Sequence, residues 1–144
     1  LVELHQLFMQ KVIRPQMRPE GFKAIERHRE AGHALVGITA TSDFITAPIF
    51  REFGITEIIA TNAEVIDGKY TGKVINTACY QQGKLVRLEQ WLEGRDVTES
   101  WAYSDSINDR FLLEYADHAI AVNPDERLET LAKEQGWEIQ DWSI

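Results

Sequence analysis

A chain of 144 residues, 44% hydrophobic and 26% charged, is long enough for one domain with a sizeable core and has the composition of an ordinary globular protein. Its formal net charge of −8 argues against general nucleic-acid binding, which needs a basic face, but leaves room for a small anionic ligand held by a few lysines and backbone amides. Cys79 is the only cysteine, so no intrachain disulfide forms and a reducing, cytoplasmic setting is expected; no apolar run approaches the roughly 20 residues of a membrane span.

Residues 1–13 read as an amphipathic helix, with Leu4, Leu7, Phe8 and Val12 at helical spacing. The pattern opens at Leu1 in mid-helix with no cap before it, so the chain is expected to be an internal or C-terminal piece of something longer. After Pro15 and Pro19 a second helix covers 20–31 and stops at Gly32. His33 to Thr39 is an apolar run suited to a buried parallel strand that ends at Thr39. A helix over 43–53 follows, closed by Gly54, and then a strand from Ile55 to Ala60. Asp67-Gly68 between two β-prone runs signals a hairpin within 63–75.

Gln82 to Glu93 is a helix with Leu85, Leu88, Trp91 and Leu92 on one face. A short strand at Ser100–Tyr103, a helix at 108–116 and a strand at His118–Val122 lead to the turn at Asn123-Pro124. A helix over 125–135 ends at Gly136, before a last short strand at Trp137–Ile139. Strands alternating with helices imply an α/β fold with a parallel sheet and right-handed crossovers.

In such sheets ligands gather beyond the carboxyl ends of the strands, and three polar groups fall there. Thr39, followed by Ala40 and Thr41, can offer a hydroxyl and backbone amides to a phosphate oxygen beside a helix N-terminus. Lys84, after the permissive Gly83, can place a point charge on phosphate. Asp105 sits at a strand tip and Asp109 in the first turn of the next helix, two hard oxygen ligands suited to Mg²⁺. Ile107 at a ligand position excludes an EF-hand. A hydroxyl, a lysine and a carboxylate pair on successive strand–helix units suit phosphoryl transfer, where positioning and charge stabilisation do most of the work. Each residue alone has a plainer reading. Thr39 is then a strand end, Thr41, Ser42 or Asp43 a helix cap, Lys84 a solvated helix-start lysine, and the two aspartates turn residues. The four histidines show no metal-ligand spacing, and Cys79 has no motif partner.

Several stretches resemble, in order along nearly the whole chain, those of the haloacid dehalogenase (HAD) superfamily, subclass IB, which includes phosphoserine-phosphatase-like and histidinol-phosphatase-like enzymes. They are His28-Arg-Glu-Ala-Gly-His with Ile38-Thr-Ala-Thr, Ile59-Ala-Thr, Asp67-Gly-Lys-Tyr-Thr-Gly, Gly83-Lys84 with Arg87-Leu and Trp91-Leu, and Tyr103-Ser-Asp-Ser-Ile-Asn-Asp. The resemblance implies a Rossmann-like parallel sheet flanked by helices, a small β-hairpin, and a remnant of a helical cap at 1–17 ahead of an incomplete core at 18–144. It implies that Thr39 hydrogen-bonds the transferring phosphoryl group, with Thr41 in that role if the register is shifted. Lys84 neutralises charge at the phosphate, Asp105 ligates Mg²⁺ directly, Asp109 holds the metal's water shell, and Asn108 lies near the phosphate. Phe111 stands where many relatives carry proline.

The family's first motif, Asp-x-Asp-x-Thr on the central strand, is absent from residues 1–144. Its first aspartate is the nucleophile that becomes an aspartyl-phosphate and its second is the general acid/base. The reading is therefore a piece of a Mg²⁺-dependent phosphatase acting on a small phosphorylated metabolite of the histidinol phosphate or phosphoserine type, inactive on its own. The competing reading is a non-catalytic module that binds phosphate and Mg²⁺ or joins subunits. A receiver-like domain fits worse, because there the acidic pair comes early and the lysine late. Thr39, Lys84 and Asp105 are expected to converge on one pocket; the oligomeric state is left open.

Overall fold

Pro19 has no N–H to lose and a φ already near the helical value, and it opens α1 (Pro19–Glu30). In this computed structural model the described residues are Met9, 17–66, 69–75 and 82–143, with backbone alone at 40–45, 61–66, 69–75 and 82. The expected helix over 1–13, the cap remnant at 1–17, the turn at Asp67-Gly68 and Cys79 therefore lie largely or wholly outside them. At the far end of α1, Gly32 takes a left-handed φ of 80°. Its N–H reaches the Arg29 carbonyl and the next N–H, from His33, reaches that of His28, which together stop the helix.

The chain divides into two units, Leu1–Asn76 with Ile144, and Thr77–Ser143. In the first, β1 (Val36–Ser42) leads directly into α2 (Asp43–Glu52), followed by β2 (Glu57–Ile66) and β3 (Lys69–Ile75). The sheet order is β1-β2-β3, with β1 parallel to β2 and β3 antiparallel to it. The arms of the expected hairpin do pair, with Ile66 opposite Lys69. Two sequence expectations shift. Thr39 does not end its strand: pairing continues to Ser42, opposite Thr61, and the register slips between Ile38 and Ser42. The strand expected to stop at Ala60 runs on to Ile66 and forms the first hairpin arm. Gly37 is dictated by packing, because a methyl there would lie 2.5 Å from Cε1 of Phe50 on α2.

The second unit begins with α3 (Gln82–Leu92) and continues through β4 (Trp101–Ser104), a 3₁₀ turn at Ile107–Asp109, α4 (Arg110–Tyr115), β5 (His118–Val122), α5 (Glu126–Gln135) and β6 (Glu138–Gln140). Its three strands are all parallel, in the order β4-β5-β6, with unbroken register from Trp101↔His118 to Ser104↔Ala121. The middle strand β5 is buried from Ala119 to Val122, as an apolar run in a parallel sheet should be. Ala119 and Ala121 share one face and pack with Leu113 of α4 and Leu128 and Ala132 of α5. Small strand residues let Leu128 and Ala132, one helical turn apart, become fully buried against the sheet. Among the described residues no helix is long and apolar enough to cross a membrane.

Candidate active site

The turn after β4 is held by its own serine hydroxyls and by groups from two helices. The Ser106 hydroxyl accepts the Asn108 N–H at 3.2 Å and caps the 3₁₀ turn, whose Asp109 N–H reaches the Ser106 carbonyl. Capping at Ser106 makes the first turn 3₁₀, so the α-helix starts at Arg110, two residues later than the sequence pattern implies, and Asp109 is its N-cap residue. Ser104, the last residue of β4, accepts the Ser106 N–H at 3.1 Å and donates its own hydroxyl to Asp109 Oδ2 at 2.5 Å.

Lys84 completes this node. It projects from the first turn of α3, is 8% exposed, and donates from Nζ to Asp109 Oδ1 at 2.5 Å. The solvated-lysine reading is thus overturned. A buried ammonium needs a paired charge and hydrogen bonds, and Asp109 supplies both. Ser104 fixes the other carboxylate oxygen, so Asp109 is oriented from two sides. An ionised carboxylate has roughly four lone-pair positions, which leaves capacity for a bound water at Asp109.

Asp105 differs. Its carboxylate is exposed and makes no hydrogen bond or ion pair among the described residues. Its backbone is held, with the carbonyl accepting the Asp125 N–H at 2.9 Å. The Asp125 carboxylate in turn accepts the N–H of Ile107 at 2.9 Å and that of Leu128 at 2.8 Å, capping α5. An unengaged carboxylate on a fixed backbone, with a second carboxylate four residues on, is a donor set that could hold a hard divalent cation through few protein ligands. Among the described residues no group of three His, Cys, Asp or Glu gathers.

Lys84 and Asp109 are in contact, and Asp105 and Asn108 share the turn that carries Asp109. Thr39 lies within β1 of the first unit, as does the backbone of Ala40 and Thr41, across the register slip. Sequence reading missed Ser104 and Asp125. Ser104 carried one signal, a hydroxyl at the strand end directly before Asp105; Asp125 carried another, an acid three residues before the apolar Leu128 at a helix start. Of the histidines, His28 and His33 approach each other, with their Nδ1 atoms 2.8 Å apart, and His118 is exposed, 2.6 Å from Glu99.

A family model, haloacid dehalogenase-like hydrolase, matches residues 1–114. The chain is 41% identical over 145 residues to a histidinol-phosphatase of Neisseria meningitidis serogroup C (strain 8013), covering 96% of this chain and 65% of that protein. It is 36% identical over 146 residues to the phosphoserine phosphatase SerB1 of Mycobacterium tuberculosis (strain ATCC 25618 / H37Rv), covering all of this chain and 47% of that one. A crystal structure of a protein of unknown function from Bordetella pertussis Tohama I superposes with a TM-score of 0.93 at 41% identity, over 99% of this chain and 67% of its own. The chain therefore spans about two thirds or less of the curated relatives named here. From its matched segment and these relatives, it belongs to the haloacid dehalogenase-like hydrolase family.

Proposed function

We propose that the protein carrying this chain is a Mg²⁺-dependent phosphatase of small-molecule phosphate monoesters, of the histidinol phosphate or phosphoserine type. The observation that carries this reading is the Lys84–Asp109–Ser104 node beside the uncommitted carboxylate of Asp105. The 41% identity to a protein named histidinol-phosphatase supports the substrate class.

In this reading Asp105 ligates Mg²⁺ and Asp109 orients water around it. Mg²⁺, when bound, would neutralise charge on the phosphoryl oxygens. Lys84, held by Asp109, points a fixed positive charge toward the same phosphate, and because it is already desolvated it needs little rearrangement as charge develops. Asn108 lies near the phosphate. Thr39, or Thr41 in the shifted register, donates a hydroxyl to a phosphoryl oxygen, and the amides around Ala40 add further donors. The nucleophile is an aspartate of an Asp-x-Asp-x-Thr segment outside these 144 residues. Its carboxylate attacks phosphorus and expels the alcohol, which takes a proton from the second aspartate. Water deprotonated by that same group then attacks phosphorus, releasing phosphate and restoring the nucleophile.

Phosphate release from histidinol phosphate and phosphoserine by the whole protein tests this. Turnover with Mg²⁺ that EDTA abolishes is the expected result. If no small phosphate ester is hydrolysed with Mg²⁺ present, the catalytic reading fails. Calorimetric binding of Mg²⁺ and phosphate without turnover would then establish the non-catalytic module.

A further inference from the structure

The turn that carries the exposed Asp105 is short, and its backbone is gripped by a residue 20 positions away in the sequence. Asp125 donates its N–H to the Asp105 carbonyl at 2.9 Å. It also accepts the Ile107 N–H on Oδ2 at 2.9 Å and the Leu128 N–H on Oδ1 at 2.8 Å. One residue thus holds the peptide groups on both sides of Ser106, and its own position is fixed by the start of α5, whose Leu128 is fully buried. On the opposite side, the Ser104 hydroxyl accepts the Ser106 N–H. Bonds from a carboxylate to backbone N–H are charge-assisted and stronger than neutral ones.

We infer that Asp125 is a positioning residue for the metal-side acid. By clamping the Asp105 carbonyl and the Ile107 N–H, it fixes the direction in which the Asp105 carboxylate leaves the turn. The inference rests on the proposed role of Asp105 as a Mg²⁺ ligand. Outer partners that orient a ligand typically account for about 10–100-fold in metal affinity, and Asp125 acts through backbone alone, so the lower end applies.

A helix cap alone needs one acceptor oxygen, whereas the clamp needs two. Asp125→Ser keeps a hydroxyl acceptor for Leu128, and Asp125→Asn keeps one carbonyl oxygen; neither can also accept from Ile107, and the asparagine would turn an NH₂ toward that N–H. Both variants should melt close to the wild type. In the whole protein, Mn²⁺ titration followed by EPR should show about tenfold weaker binding for both. Hydrolysis should recover at high Mg²⁺ with the KM for the phosphate ester unchanged. Amide exchange at Ile107, read by NMR without metal, should accelerate in both.

Wild-type Mn²⁺ affinity in both variants, with Asp105→Asn abolishing binding, would overturn the positioning role alone. Unchanged exchange at Ile107 would overturn it as well. If Asp105→Asn leaves Mn²⁺ binding intact, the metal reading of Asp105 fails and the inference falls with it.

Discussion

The ends of β1 and β4 are each the carboxyl end of a parallel strand leading toward a helix, and they are built by different means. At β4 the register with β5 is unbroken up to Ser104, and side-chain hydrogen bonds then close the turn. At β1 the register slips between Ile38 and Ser42, and the strand passes into α2 with no intervening loop. At β4 the backbone beyond the strand is held by serine and aspartate side chains, whereas at β1 the slip releases peptide groups from regular pairing.

The β4 turn is most sensitive at Asp109. Asp109→Ala leaves the buried Lys84 ammonium with no counter-charge, which should cost about 3–5 kcal/mol in urea unfolding. The exposed Lys133–Glu129 pair sharpens the contrast: Lys133→Ala should change stability by about 0.5 kcal/mol or less, because that pair remains in water. On the β1 side, Gly37→Ala forces a methyl into the Phe50 ring and should cost about 1–3 kcal/mol in the same measurement. Ser104→Ala removes a donor to Asp109 and an acceptor for Ser106; a loss of about 1–2 kcal/mol is expected, with Ser104→Thr close to wild type.

The smallest effect is at the end of α1. Burial, then the charge of His33, then that of Arg27, hold the His28 pKa below its ordinary 6.5. The unfolded chain then binds more protons than the folded one below pH 6.5. Stability should fall as pH drops through 6.5 toward the lower folded value. Melting temperature measured from pH 7.5 to 5 should decline less steeply in His28→Gln than in the wild type.

The β4–β6 region was readable because its signals are local. The apolar run His118–Val122 is the observed strand, and Gly136 ends α5 with a φ of 72°. The β1 end was not, since the apolar pattern stops at Ile38 while backbone pairing carries the polar Thr-Ala-Thr-Ser stretch on as strand. Thr61 and Asn62 likewise interrupt the hydrophobic pattern of β2 without ending it. Residue type and spacing singled out Lys84 and Asp109, which the structure brings into contact, and Asp105 in the same turn. Ser104 and Asp125 escaped because their roles depend on partners, and those of Asp125 lie 18 and 20 residues away, where no short sequence window reaches.

Asp105 is proposed as the metal end of a phosphatase site. The direct test is hydrolysis of histidinol phosphate by the whole protein with Asp105→Asn, beside the wild type at saturating Mg²⁺. A carboxylate acting as a metal ligand predicts a loss of at least about 100-fold in kcat with the fold intact by circular dichroism. Hydrolysis by the variant at the wild-type rate would contradict it.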